Sequence, residues 1–267
     1  MKRIAIITGA SSGMGRRFAQ TAAEHVAFDE LWVIARREDR LLQLQEELKP
    51  VKVVPVAMDL SVRSEIAALG DKLKQEDADV VLLINAAGFG KFLAVKEVPQ
   101  SVADEMLALN CGALMDMCYT CLPFMHRGAK ILNIASVAAF QPVPYITEYA
   151  ATKAFVLSFS RGLWKELRHE GITVTALCPY WTRTEFFSVA YNAPKKMVGL
   201  PENTCRISYY NTMYEPEDLV RRGWRDLLKG RDLSTYGFIA RAQIALITLL
   251  PHRLVMRIWC SQQKQAQ

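Results

Sequence analysis

The chain has 267 residues, of which 51% are hydrophobic, and its formal net charge is +6. This length allows one large core or two small domains, and the charge is too small to indicate a nucleic-acid-binding protein. The basic excess is local, because residues 221–267 hold nine Lys and Arg against two Asp, which leaves a sum of about −1 for the rest.

The first residues, MKRIAIITGA, combine two basic side chains with an apolar run, as the start of a secretory signal peptide does. Only four apolar residues, 4–7, precede Thr8, which is too few for such a signal, so a first β-strand is expected. No uninterrupted apolar run reaches the roughly 18 residues of a membrane span. Six cysteines without a disulfide-scaffold spacing favour a reducing, cytoplasmic location.

Cys118 and Cys121 form a C-x-x-C pair inside the helical run MDMCYTCLPF. A redox pair or metal ligands are one interpretation, and two buried helix thiols are the other. With four scattered histidines and no second C-x-x-C, the sequence offers too few partners for a zinc site. We therefore expect buried thiols and no metal.

Six short apolar runs rich in β-branched residues recur along the chain, each followed by a stretch of helical periodicity. The runs are RIAIITG, LWVIAR, VKVVPVAMD, DVVLLINAAG, KILNIAS and ITVTALCP. Helices are predicted at about 14–27, 38–48, 62–76, 100–126, 149–169 and 216–229. Buried strands alternating with helices indicate a parallel sheet covered on both faces, so we predict a single doubly wound α/β domain over 1–267. Its ligand site is expected at the carboxyl ends of the strands.

Two regions interrupt this alternation. Residues from about 186 to 215 are irregular and rich in aromatic side chains, which is typical of a substrate lid or binding loop. After a short strand, residues from about 238 to 267 form a basic helical extension that Pro251 breaks in two. Basic and apolar residues alternate there, as in RLVMRIW at 253–259, which leaves open packing on the body, packing on a partner subunit, or peripheral membrane contact.

A glycine-rich segment, TGASSGMG, lies directly between the first strand and the first helix. Gly9, Gly13 and Gly15 allow a tight turn and a close approach of a pyrophosphate, which the free N–H groups of the helix start would bind. The position of the motif after strand one predicts a Rossmann-like dinucleotide site. The turn also places Ser11, Ser12 and Met14 at that site.

The second strand ends in Arg36 and Arg37, where an acidic residue would bind the ribose hydroxyls of NAD. Arginine at this point accommodates a 2′-phosphate through charge-assisted hydrogen bonds, so NADP(H) is favoured over NAD(H). The alternative is a pair of solvated arginines at a helix start. Further along, the strand ends predict an adenine-side wall and a floor beside the cofactor, formed by Asp59, Leu60, Asn85, Ala86 and Gly88.

The order and spacing of four segments resemble those of the short-chain dehydrogenase/reductase family. They are TGASSGMG, NAAG, NIASVAAF with Ser136, and YAATK with Tyr149 and Lys153, and the similarity spans roughly residues 3–185. Within this family the chain is similar to bacterial NADP-dependent ketone and ketoacyl reductases. The resemblance implies that Lys153 binds the nicotinamide ribose and that Asn110 holds a water in a proton relay. It also implies cofactor contacts from Pro179, Thr182 and Thr184.

The chemistry of the Ser136, Tyr149 and Lys153 set can also be argued from the residue types. Free tyrosine, with a pKa of about 10, is a reluctant acid at neutral pH. Lys153 lies four residues later on the same helix face, so its cation is predicted to lower the pKa of Tyr149. Tyr149 is assigned as the proton donor to a substrate oxygen, which the Ser136 hydroxyl would also bind. A serine–lysine hydrolase is disfavoured, because the chain lacks a G-x-S-x-G elbow.

The family's usual Pro-Gly after the sixth strand is replaced by CPYWTRTEF, with Tyr180 and Trp181 behind Pro179. These bulky rings are expected to reshape the substrate mouth. Together with Phe89, Phe92, Phe140 and Tyr145, these two rings predict an apolar substrate pocket. The alternative is that the rings only pack the lid onto the body of the protein.

The prediction is thus an NADP(H)-dependent oxidoreductase that reversibly transfers hydride between the nicotinamide and an apolar ketone or aldehyde, or a secondary alcohol. The alternative is a non-catalytic NADP-binding sensor or interaction protein on the same fold. We expect a homo-oligomer, dimeric or tetrameric, and no nucleic-acid partner.

Overall fold

A computed structural model of the chain describes residues 1–191, 207 and 212–265. At its centre lies one parallel sheet in the order β3-β2-β1-β4-β5-β6-β7. The strands are β1 (Lys2–Thr8), β2 (Glu30–Ala35), β3 (Val53–Ala57), β4 (Ala78–Asn85), β5 (Lys130–Ile134), β6 (Thr173–Leu177) and β7 (Leu233–Ser234). The strand order changes direction between β1 and β4, and the crevice at such a switch point is where open α/β sheets bind ligands.

The helices lie around this sheet. They are α1 (Gly13–Thr21), α2 (Glu38–Glu47), α3 (Arg63–Gln75), α4 (Gln100–Leu107), α5 (Leu114–Cys121), α6 (Thr147–Leu167), α7 (Phe186–Tyr191), α8 (Pro216–Leu228), α9 (Phe238–Leu249) and α10 (His252–Gln265). The helix predicted at 100–126 is composite, because a π-helical segment, Ala108–Ala113, joins α4 to α5. Most of the predicted lid, residues 192–206 and 208–211, lies outside the described residues.

Alternate residues of each central strand enter two separate cores. In β1, Ile4 and Ile6 pack in one core, while Ala5 and Ile7 pack in the other. All six residues of β2 are buried. Continuous apolar runs are what a strand needs when helices cover both faces of its sheet. The predicted doubly wound α/β fold is therefore confirmed.

The edge strand β7 has only two residues and depends on a buried carboxylate for its position. Asp226 of α8 is fully buried and accepts hydrogen bonds from Arg231 Nη1 and from Ser234 Oγ, each at 2.9 Å. Arg222 also pairs with this carboxylate. A buried charge that is paired and hydrogen-bonded on several sides holds its partners in place, and Ser234 lies four residues before the start of α9.

Cys118 and Cys121 lie on the buried face of α5, as the interpretation of two core thiols predicted. Burial raises the pKa of the Cys118 thiol to about 12 and raises the pKa of Cys121 as well, so both stay protonated. Within the described part of the chain, the helix Gln100–Phe124 is long and apolar enough to cross a membrane by length and composition. Core helices pass the same test, and α5 packs into the core through Leu114 and Met117.

Candidate active site

The turn between β1 and α1 is shaped by glycines that no other residue could replace without rearrangement. Gly9 and Gly13 have φ angles of +67° and +54°, in the left-handed region. A Cβ on Gly15 would lie 2.4 Å from the carbonyl oxygen of Gly9, so the turn closes tightly onto the start of the helix. The Thr8 hydroxyl accepts hydrogen bonds from the Ala86 and Ala87 amides at 3.0 and 3.2 Å, which fixes the loop after β4 beside this turn.

A cleft of about 500 Å³ runs along the carboxyl ends of the strands from β3 to β4. Thirteen of the residues predicted from sequence to bind a cofactor line it, and they come from the glycine-rich turn and the strand ends. They are Gly9, Ser11, Ser12, Gly13, Met14, Gly15, Arg36, Arg37, Asp59, Leu60, Ala86, Gly88 and Thr184. The fold thus brings segments far apart in sequence into one elongated binding site.

The two arginines after β2 have different surroundings. Arg37 donates from Nη2 to the Ser11 and Ser12 hydroxyls at 3.0 and 2.9 Å, so it lies across the glycine-rich turn. Arg36 is largely exposed and has Nη1 3.9 Å from the Asp59 carboxylate. Glu185, which the sequence interpretation missed, pairs with Arg37 at 3.2 Å and partly neutralises the positive charge of this guanidinium.

Asn85 is the one predicted cofactor residue that lines neither this cleft nor the cavity described below. Its side-chain amide donates to Asn133 Oδ1 at 2.9 Å, and Asn133 in turn donates to Ser160 Oγ at 2.9 Å. The side chain lies in a buried polar chain between β4, β5 and α6. Its side chain is therefore engaged away from the cleft, and its predicted place beside the cofactor stays a prediction.

Ser136, Tyr149 and Lys153 meet where β5 ends against the first turns of α6. Lys153 is buried, and its Nζ donates to the Ile134 carbonyl oxygen at 2.7 Å. The same Nζ lies 5.7 Å from the centre of the Tyr149 ring. The Ser136 hydroxyl accepts from the Ala138 amide at 3.1 Å and is hydrogen-bonded with Tyr149. All three side chains line one cavity.

The protonation of this pair differs from the sequence prediction. Burial raises the pKa of Tyr149 to about 12, and the Ser136 hydrogen bond opposes this rise only in part. Burial also lowers the pKa of Lys153 to about 8. The predicted lowering of the Tyr149 pKa by Lys153 is therefore wrong for the protein alone, because the ammonium group is bonded to Ile134 and desolvation of the phenol dominates. At neutral pH the site holds a neutral phenol beside a lysine cation.

Asn110 lies in the π-helical segment and is almost completely buried. Its side chain accepts from the Phe89 amide at 3.0 Å and donates to the Phe89 carbonyl at 2.8 Å. It also donates to Thr152 Oγ1 at 3.1 Å. A Cβ on Gly88 would be 2.8 Å from Asn110 Oδ1 and 3.6 Å from Lys153 Nζ, so Asn110 holds the 88–89 loop beside the lysine. Its participation in a water-mediated relay stays a prediction.

A second cavity of about 130 Å³ adjoins the cleft and contains the tyrosine. It shares Met14, Ala86, Gly88, Thr184 and Phe186 with the cleft, so the two form a continuous site. Pro179 and Thr182 line it beside Tyr180 and Trp181, and its walls are mostly apolar: Phe92, Val143, Ile146, Phe186, Phe187 and Trp259. Gln141 also lines the cavity, and its buried Oε1 has no hydrogen-bond partner among the described residues.

The predicted pocket rings divide between the cavity and its surroundings. Phe92 and Trp181 lie in the wall with their rings at 6.0 Å, edge to face. Phe89 lines the cofactor cleft instead. Phe140 packs against the main core, and Tyr145 packs behind the cavity, so neither is a wall residue, contrary to the prediction.

The sequence pattern of the family described as short chain dehydrogenase matches residues 3–194 of the chain. The chain belongs to the short-chain dehydrogenase/reductase family. Among its curated relatives, sulfoacetaldehyde reductase 2 of Chromohalobacter salexigens is 34% identical over 195 residues, which cover 70% of this chain and 75% of that protein.

Two solved dehydrogenase structures are similar over nearly the whole length. One, from Sphingobium yanoikuyae in complex with NADPH, has 28% identity and a TM-score of 0.74, covering 94% of this chain and 97% of its own. The other is a bulky-bulky ketone specific alcohol dehydrogenase from Comamonas testosteroni, with 25% identity and a TM-score of 0.68, covering 94% and 95%.

In this short-chain dehydrogenase, part of the cavity wall comes from beyond the matched residues. Gln243 of α9 accepts a hydrogen bond from the Tyr180 hydroxyl at 2.9 Å. Trp259 of α10 stacks on Trp181 and donates to the Pro144 carbonyl at 3.0 Å. The C-terminal helices therefore pack on the body, which was one of the three interpretations of the extension. Sequence reasoning missed Gln243, although a lone amide in an apolar helix was its visible signal.

Proposed function

We propose that this short-chain dehydrogenase/reductase is NADP(H)-dependent and reversibly reduces an apolar ketone or aldehyde to a secondary or primary alcohol. The observation that carries the proposal is that the cavity lined by Tyr149 joins the cofactor cleft, since the two share five lining residues. One side of the junction is an elongated cleft with a glycine-rich turn, and the other is an apolar pocket. Purified protein is expected to oxidise NADPH when an apolar ketone is added, which its absorbance would report.

The cleft fits a dinucleotide. The turn has no Cβ at Gly9 or Gly15, where one would collide with the backbone, so it leaves the helix start open to a pyrophosphate. Ser11, Ser12 and Gly13 would hold the phosphates, and Asp59 and Leu60 the adenine side. When bound, the nicotinamide supplies the hydride.

The chain's own residues supply the proton and orient the substrate. The substrate oxygen would accept hydrogen bonds from the Ser136 and Tyr149 hydroxyls, which stabilise negative charge as it develops on that oxygen. Tyr149 then donates its proton, and the adjacent Lys153 cation stabilises the resulting tyrosinate. Because the cavity is mostly apolar, an apolar substituent on the carbonyl would exclude water from this set.

The preference for NADP(H) rests on Arg36 and Arg37 at the cleft. Changing both to Ser is expected to raise KM for NADPH by about 10–100-fold, since hydrogen bonds to charged groups contribute about 1.5–3 kcal/mol. KM for NADH should change far less. The control is Arg40→Ser, which removes one positive charge from a nearby side chain paired with Glu185 at 2.6 Å. Equal losses for NADH and NADPH would contradict the selectivity role.

The rate of carbonyl reduction should fall as the pH rises through about 8. Lys153, with a pKa of about 8, is charged below this pH and neutral above it, whereas Tyr149, with a pKa of about 12, stays protonated throughout. The measurement is kcat/KM between about pH 6 and pH 10, which reports groups of the free enzyme. The Lys153→Met variant should have a much lower kcat/KM, and its kcat/KM should not decline as the pH rises through about 8. A rate that rises across this range would contradict the assignment.

The proposed homo-oligomer is supported by apolar side chains on the surface of α4 to α6. Leu107, Tyr119 and Phe155 are exposed there, at 58%, 67% and 38%. Phe155 stacks on Phe159 of the same helix, which gives a flat aromatic surface. Such exposed apolar groups are typical of surfaces that associate.

A further inference from the structure

The C-terminal helices α9 and α10 expose an apolar surface. Leu249 and Phe238 are 84% and 79% exposed, which is far beyond what a core residue shows. Four other large apolar side chains of these helices are also exposed: Ile239, Leu246, Leu254 and Ile258. These six residues are called the outer apolar face. Large exposed apolar surfaces usually mark a binding site rather than a chance arrangement.

The opposite side of the same helices is packed on the protein. Ala240 and Ile247 of α9 and Val255 of α10 are buried. Trp259, four residues after Val255, is bonded to Pro144 and stacked on Trp181. Both helices are therefore held with a fixed orientation, and the outer apolar face is the side that folding leaves in water.

The charge around this face has one sign. Residues 233–267 include no Asp or Glu, but they contain four basic residues. Arg241, Arg253 and Arg257 are exposed. None of the three has a carboxylate within 4.0 Å among the residues that the structure describes. An apolar face that carries unneutralised cations is complementary to a surface that is both apolar and anionic.

We infer that the outer apolar face binds the surface of an anionic lipid bilayer. With 12 residues, α9 is about 18 Å long, against about 30 Å for the hydrocarbon core of a bilayer, so it lies in the interface and does not span it. Pro251 separates it from α10, and each helix presents apolar and basic side chains to solvent. A second copy of the chain is a poorer occupant, because a two-fold contact would bring this cationic face against itself.

The location of the face relates it to the substrate. The inner side of α9 and α10 provides Gln243 and Trp259 to the wall of the substrate cavity. Lipid bound on one side of these helices would therefore lie one helix thickness from the site. It follows, resting on the proposed function, that the substrate is an apolar carbonyl compound dissolved in the membrane.

The test is co-sedimentation of the full chain with phosphatidylcholine vesicles that contain or lack phosphatidylglycerol. We expect binding to the anionic vesicles, weakened by salt, and little binding to the neutral ones. Arg253→Glu/Arg257→Glu should weaken binding by more than about tenfold, as should Leu246→Ser/Leu249→Ser. Lys74→Glu/Lys165→Glu is the control, because it makes the same charge change at exposed sites on α3 and α6 and should retain binding.

Three results would overturn the inference: no binding to anionic vesicles, an equal loss in the control, or unchanged binding by the arginine variant. A change of oligomeric size in the leucine variant, with no vesicle binding by the unaltered chain, would instead assign the face to self-association. Circular dichroism checks that each variant is folded. Turnover of a water-soluble ketone should be unchanged in all of them, so a failure of the lipid inference is distinguishable from a failure of the proposed reaction.

Discussion

Tyr149→Phe is expected to lower turnover with NADPH and an apolar ketone by about 10²–10⁴-fold, the range for loss of a positioned general acid. The change removes one oxygen and leaves the ring, which packs against Phe186 at 5.3 Å between centroids. Binding of NADPH should therefore stay within about threefold of the unaltered protein, as titration of cofactor fluorescence would measure. The loss should appear mainly in kcat, because the proton is transferred only in the chemical step.

Tyr180→Phe provides the matched control, since it deletes the same atom from a ring in the same cavity. Its hydroxyl donates to Gln243 and not to a reacting oxygen, so we expect a loss below about tenfold. Equal losses in the two variants would show that any change in the cavity wall impairs the enzyme. If the unaltered protein binds NADPH but turns over no carbonyl compound, the alternative of a non-catalytic sensor is favoured.

Gly15→Ala is expected to abolish most cofactor binding and to destabilise the fold. The new Cβ would lie 2.4 Å from the Gly9 carbonyl oxygen and 2.9 Å from that of Thr8, which is the last residue of β1 paired with β2. Relieving the overlap must displace the turn from α1, at a cost of about 3 kcal/mol or more. The midpoint of thermal unfolding should fall by more than about 5 °C.

Gly162→Ala is the control for this substitution. Gly162 is an exposed residue within α6, and a Cβ there meets nothing within 4 Å. Alanine is the better helix former, so the free energy of unfolding should rise by about 0.5–1 kcal/mol and NADPH binding should not change. If Gly15→Ala binds NADPH normally, the turn is not the pyrophosphate site.

The sequence predicted the sheet well because buried parallel strands are short and continuously apolar. Apolar runs such as IAII in β1 and LWVI in β2 fit few positions in a fold of this size other than the centre of a covered sheet. The site followed from the fold, since the carboxyl ends of parallel strands converge and Gly9, Arg37, Ser136 and Tyr149 lie after or near them.

The details that escaped prediction depend on side-chain directions and on desolvation, which periodicity does not encode. Asn85 was placed beside the cofactor because it ends a strand, but its amide is taken up by Asn133. The pKa of Tyr149 was predicted from its spacing to Lys153 alone. Spacing fixes the helix face, whereas the rise to about 12 comes from protein atoms of other segments around the phenol.

The wall of the candidate substrate cavity is encoded in two separate parts of this chain. Asn110, Ser136, Tyr149 and Lys153 all lie within the family-matched residues 3–194, whereas Gln243 and Trp259, which close the cavity over them, lie far beyond. Under the proposed function, mutations in α9 and α10 would therefore reshape one side of the pocket, while the proton-donating set and the rest of the wall stay in place. Changes in the codons for these two helices would thus vary one side of the pocket independently of the family-matched segment.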